Sequence, residues 1–219
     1  MRDVVAMIDQ QPSAAPSGPA PPEYPPSVFA VVAHASGTSL MTTKKSLTLF
    51  SHVMEEEAIA DPAGAHFFGA FQEPRFYEPA RDRWVQLAAL GSSAHVFAEF
   101  DRTEPDAGAT CVSLDHGDPM RREWAVVVDR PSGSMALTAI ERPDQDDVPD
   151  LDRLFDSTWS THPATVRKAA IVCATIAASH GAAGAEDLRA RLSGPSPSRE
   201  LDVELGERLL DRLLDVLED

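Results

Sequence analysis

The chain has 219 residues, with 19 Lys and Arg against 35 Asp and Glu, for a formal net charge of −16. A surface of that sign repels polyphosphates and anionic headgroups, which argues against DNA, RNA or an anionic membrane as a direct partner. No apolar run reaches the roughly 18 residues of a membrane-spanning helix, the N-terminus carries no secretory pattern, and two cysteines without CxxC spacing suit reduced thiols, so a soluble, cytoplasmic protein is expected.

Residues 11–26 hold seven prolines in sixteen positions. Such a stretch buries too little apolar surface to offset the entropy of ordering it, and residues 1–27 are expected to be a disordered, Pro-rich arm. The residues ahead of it, with Val4, Val5, Met7 and Ile8, would either fray or dock as a short peptide. VFAVVA at 28–33 has the length and apolarity of a strand, and the turn-prone ASGTS follows it. In 46–60 the positions Leu47, Leu49, Phe50, Val53, Met54 and Ile59 form a helical stripe that Asp61-Pro62 ends. HFFGAF at 66–71 reads as a buried strand, and 73–90 as a helix with Pro79 near its start and a stop at Gly91. Two further strands, 94–100 and 110–114, flank a polar loop, EPDAG. EWAVVVD and SMALTAIE, joined by RPSG, make a hairpin of 123–129 and 134–141. The order β-α-β-α-β-β-β-β predicts an α/β fold with a mixed sheet of about five to six strands and flanking helices, spanning residues 28–142.

Residues 143–219 are expected to add an acidic connector and C-terminal helices. The aspartates between 141 and 156 lack the glycine and closing glutamate of an EF-hand loop, so they read as a solvated link into a helix rather than a calcium site. Residues 163–180 are alanine-rich and helical, 185–192 continue as helix, and 201–217 carry a leucine stripe. That stripe either packs on the alanine-rich helix or pairs with a partner or a second copy as a homodimer. Leu205, Leu209, Leu213 and Leu217 are the candidate interface.

The common catalytic signatures are missing: there is no GxGxxG, P-loop, GxSxG elbow or HExxH. His52 lies three and four residues from Glu55 and Glu56, on one helix face, where an intrahelical partner is the plain explanation and a metal ligand the alternative. Cys111, Asp115 and His116 are close in sequence, but alternate strand residues face opposite sides, so the spacing is no evidence of a thiolate relay. No catalytic residue and no metal site is assigned, and no cofactor is indicated. The aromatics concentrate between His66 and Trp124. With Gln72, Arg75, Arg83 and Glu123 among them, they suit either core packing or an apolar ligand pocket with a few polar groups.

Taken in order, SLTLFSHVMEEEA, GAFQEPRFYEPARDRWVQLAAL, HVFAEF and MRREWAVVVDRPSGSMALTAIER resemble a DICT sensory domain. The likeness rests on Ser51, His52 and Glu55 in a helix, on the pair Phe71-Gln72 with Phe76, on Arg83, Trp84 and Leu87, and on Glu123-Trp124 before an apolar strand. It implies a sensor of bacterial signalling with a suggested link to light response, and no catalytic activity. It specifies no ligand. The aromatic core is read as binding a small ligand, chromophore or signalling partner, and the alternatives are a ligand-free structural or dimer-forming protein, or an enzyme using His52 and Glu55. The sensor's output would pass to a signalling protein or transcription regulator. His52, Glu55, Phe71, Gln72, Phe76, Arg83, Trp84, Glu123 and Trp124 are the candidate ligand-binding residues on that basis.

Overall fold

The computed structural model describes residues 27–194 and 203–218. The proline-rich arm, residues 195–202 and the side chain of Leu217 lie outside them. One sheet of eight strands organises the described residues, in the order β1-β8-β7-β6-β2-β3-β5-β4. Its strands are β1 (Leu40–Thr43), β2 (His66–Gln72), β3 (Ser93–Ala98), β4 (Glu104–Asp106), β5 (Ala109–Ser113), β6 (Glu123–Asp129), β7 (Met135–Glu141) and β8 (Leu154–Ser160). β2 runs parallel to β3, and β3 to β5, while the other pairings are antiparallel.

Both faces of the sheet are covered. On one lie α1 (Val28–Ser36), α5 (Pro163–Ser179) and α6 (Ala185–Leu192), packed over Phe68, Phe97, Val112 and Val127. On the other lie α2 (Lys44–Ala60), α4 (Arg81–Leu90) and α7 (Val203–Glu218), packed over Phe67, Val96, Val126, Leu137 and Phe155. Two-sided burial is why the central strands read as continuous apolar runs.

Several expectations change. VFAVVA is not a strand but helix α1: the Ser27 hydroxyl caps it by accepting from the Ala30 amide, and Gly37, at φ 68°, closes its other end in the left-handed conformation. A run apolar on all sides has no period to separate strand from helix, and the caps at either end decide it. The strands number eight rather than five or six. EPDAG is not wholly loop, because Glu104–Asp106 forms the edge strand β4, where Pro105 does no harm. The acidic connector leads into β8 rather than a helix, and β8 sits between β1 and β7. The sheet therefore continues past residue 142. Pro79 divides the expected 73–90 helix into α3 (Pro74–Tyr77), a 3-10 turn (Glu78–Ala80) and α4.

The leucine stripe of α7 packs on α2, not on the alanine-rich α5. Leu205 and Leu209 are buried in that contact. Arg208 and Arg212 each donate through Nε to the buried Glu57 carboxylate of α2, at 3.0 and 3.2 Å. Leu205 and Leu209 thus serve the chain's own fold, while Leu210, Leu214 and Val216 are exposed.

Two histidines lie on neighbouring strands, His66 on β2 opposite Ser93 and His95 on β3 opposite Phe68, on which it stacks with ring centroids 5.5 Å apart. Burial holds both imidazoles down at about 4, helped by Arg191 and Arg167 at His66 and by His66 at His95. In the unfolded chain each titrates near 6.5. The unfolded state therefore binds more protons between these values, and this contribution to stability falls as pH drops from about 6.5 towards 4. Burial raises the Glu55, Glu123 and Asp129 carboxyls, whose contributions run the opposite way. The difference between chains is thus the useful quantity. H95Q should lose less urea stability than the parent between pH 7.5 and 5, and equal losses would show that His95 does not titrate as stated.

Candidate functional site

Thr43 caps α2 by accepting from the Ser46 amide. From that start Lys44, Thr48, Ser51, His52 and Glu55 fall at steps of three and four, so one face of the helix presents all five to a single side. The facing wall is made by Phe71 at the end of β2, by Arg75 and Phe76 of α3, by Pro79 and Ala80 of the 3-10 turn, and by Arg83 of α4. Trp124 of β6 and the turn residues Asp150 and Leu151 complete it. This partly open hollow has a volume of about 350 Å³, within the range of small-molecule sites.

Glu55 is the hinge of the polar wall. It is 2 % exposed, and its two oxygens accept from Arg83 Nε at 2.6 Å and from Trp84 Nε1 at 3.0 Å. Burial still pushes its carboxyl above the usual range, against the pull of Arg83 and the indole. Trp84 lies flat under the site over Gly69, where an added Cβ would come within 2.4 Å of the indole. Only glycine admits the ring so close to the strand. Phe71 meets Trp84 edge to face at 5.7 Å, and the Trp124 indole N–H donates to Ser51 Oγ at 2.9 Å. On the other side Lys44 Nζ sits 2.7 Å from Asp150 and 3.7 Å from the Phe76 ring centroid. Burial first, then the nearby Arg83, hold His52 below its ordinary range, against the pull of Glu56.

Of the residues singled out from sequence, His52, Glu55, Phe71, Phe76, Arg83 and Trp124 come together on this cavity. Trp84 stands behind it, acting through Glu55. Gln72 and Glu123 belong elsewhere. Gln72, at φ 64°, turns the chain at the end of β2, and its carbonyl accepts from the Glu99 amide at 2.9 Å. Glu123 points to the opposite face of the sheet, where its carboxylate accepts from the Val28 and Phe29 amides at 3.0 and 3.1 Å and from the Ser27 hydroxyl. It caps α1. Cys111 lines a separate hollow with Tyr77, Arg81 and Asp106. Burial first, then Asp106 and Glu104, push its thiol up to about 11. Asp115 instead lies 3.9 Å from His180, and His116 meets Arg121 at 2.7 Å, so no relay forms with the thiol. Among the described residues no three His, Cys, Asp or Glu side chains are grouped to hold a metal, and no helix is long and apolar enough to cross a membrane.

A family model described as the sensory domain in diguanylate cyclases and two-component systems, DICT, matches residues 27–142. The chain belongs to the DICT family. No curated protein and no solved structure matches it. The DICT segment begins at the capping residue of α1 and ends just after β7. It supplies every residue around the cavity except Asp150 and Leu151. Those two, with β8 and the last three helices, lie beyond the match.

Sequence alone missed Lys44, Thr48, Pro79, Ala80, Asp150 and Leu151. Lys44 and Thr48 were within reach, since they extend the Ser51, His52, Glu55 face back by one and two turns. Asp150 and Leu151 come to the site only through the pairing of β8 with β1 and β7.

Proposed function

We propose that this DICT domain is a sensor whose ligand is a small molecule bound in the cavity between α2, α3 and α4, and that it works without catalysis. The observation that supports this is the convergence of His52, Glu55, Phe71, Phe76, Arg83 and Trp124 on one hollow of about 350 Å³, mostly apolar with a few fixed polar groups. The family's sensory role fits the same arrangement.

The route of output follows from α2. Its pocket face carries His52 and Glu55, while Glu57 and the buried Val53, Met54 and Ala58 hold it to the rest of the domain, and Glu57 is the residue that Arg208 and Arg212 of α7 grip. A ligand that favours one position of α2 would bias whether α7 stays docked, to the extent of its differential affinity for the two states. A signalling protein, a transcription regulator or a second copy would then take the released face of Leu205, Leu209 and Leu213.

Thr48→Trp fills the cavity from the partly exposed side of α2 without touching the Glu55 network. A library of small aromatic and aliphatic acids, amides and amines should contain compounds that raise the Tm of the parent chain and lose that effect in T48W. The same compounds should alter amide exchange in α7. Hits that bind T48W undiminished would place the site elsewhere. Visible absorbance of the purified protein, absent from T48W, would identify the natural ligand as a chromophore.

A further inference from the structure

The donors and acceptors around the cavity are unequally used. Lys44, Arg75 and Arg83 line it with Glu55 and Asp150, in a chain whose formal charge is −16. Arg75 is exposed and pairs with Glu73 at 2.8 Å, so Lys44 and Arg83 are the cations that count. The acceptors are largely taken. Both Glu55 oxygens are occupied by Arg83 and Trp84, and Ser51 Oγ accepts from Trp124. Asp150, which holds Lys44, sits at the rim with its side chain 55 % exposed.

The donors retain capacity. The Lys44 ammonium has three N–H groups, its side chain is only 6 % exposed, and its one hydrogen-bonded partner is Asp150. Arg83 uses Nε on Glu55, and neither of its terminal nitrogens is hydrogen-bonded among the described residues. A nearly buried ammonium with unused N–H groups is poorly solvated and costly to leave so, and the Arg83 guanidinium beside it, its side chain 33 % exposed, has donors that only solvent can meet. Their complement is a group rich in acceptors and negatively charged. Beside them Phe71, Phe76, Pro79, Leu151 and Trp124 offer apolar and aromatic contact, which suits a flat hydrocarbon body.

Building on the sensor assignment above, we propose that the ligand is an organic anion: a flat apolar body lying among Phe71, Phe76 and Trp124, with an acidic group between Lys44 and Arg83. The acid displaces Asp150 from Lys44. Asp150 is on a three-residue turn (Asp150–Asp152) and is exposed enough to be rehydrated. Glu55 stays with Trp84 and Arg83, because nothing in the ligand replaces its partners.

Calorimetry with 2-naphthoate and its uncharged isostere 2-naphthamide tests this class. The parent chain should bind the carboxylate about tenfold or more tightly than the amide, since charge-assisted hydrogen bonds are the stronger ones. Lys44→Met, which leaves an exposed aspartate rather than a buried one, should narrow that gap, and Arg83→Gln is the second variant for the same readout. R102M, at a 76 % exposed side chain outside the cavity, should leave the gap as it was. Equal binding of the two probes, or a gap that survives both K44M and R83Q, overturns the anion assignment while the cavity remains a ligand site. Binding of either probe that T48W does not weaken overturns the cavity as the site.

Discussion

Arg130→Ala is expected to destabilise the fold by about 3–5 kcal/mol, the usual cost of stripping one partner from a buried charge network. Arg130 follows β6 in the hairpin turn and is 1 % exposed. Its Nε donates to the Gly133 carbonyl at 2.6 Å, and its Nη1 donates to the Glu57 and Asp61 carbonyls at 3.2 and 2.6 Å, where α2 ends. Nη2 reaches the Glu57 carboxylate at 3.3 Å. One guanidinium thus fills the open carbonyls of α2, fixes the β6–β7 turn and neutralises the residue on which α7 is fastened. Urea unfolding of R130A and R130M separates packing from hydrogen bonding, because methionine restores much of the volume and none of the donors. Similar losses in both are expected. A loss below about 1 kcal/mol in R130M would mean that the network is replaceable by apolar packing, as some buried ion pairs are.

Trp84→Ala should cost a comparable amount, about 3–5 kcal/mol, by opening a cavity where a large, 1 % exposed side chain packs. It also removes the indole N–H from Glu55. Trp84→Phe isolates that second part: the ring is largely kept, one hydrogen bond to a buried carboxylate is lost, and about 1.5–3 kcal/mol is the expected effect. Denaturant titrations of the two variants check both figures. If W84F equals the parent in stability, Glu55 is held by Arg83 alone and the indole is only filler.

What could be read from sequence was what repeats locally. The stripe Leu47, Phe50, Val53, Met54 declared α2, and the RPSG turn between two apolar runs declared the β6–β7 hairpin. VFAVVA was illegible because its helix is capped in part by Glu123, 95 residues away. β8, LFDSTWS, looks polar: Ser157 and Thr158 are buried yet hydroxylated, and their burial depends on β1 and β7 closing over them. The pair Glu123-Trp124 shows the same boundary. Neighbours on a strand face opposite sides, so Trp124 reaches the cavity and Glu123 must leave it. The α2 half of the site follows from helical spacing, while its rim at Asp150 and Leu151 is set by tertiary structure alone.

The chain has three tryptophans, and they stand at three different distances from the proposed site. Trp124 lines the cavity, Trp84 touches it through Glu55, and Trp159 lies on β8 against Phe50, outside the lining. Their indole N–H resonances, followed by NMR as 2-naphthoate is added to saturation, report directly on where the probe sits. The expected result is a large shift at Trp124, a smaller one at Trp84 and none at Trp159. Saturable binding that moves Trp159 and leaves Trp124 and Trp84 in place would contradict the assignment of this cavity as the sensory site.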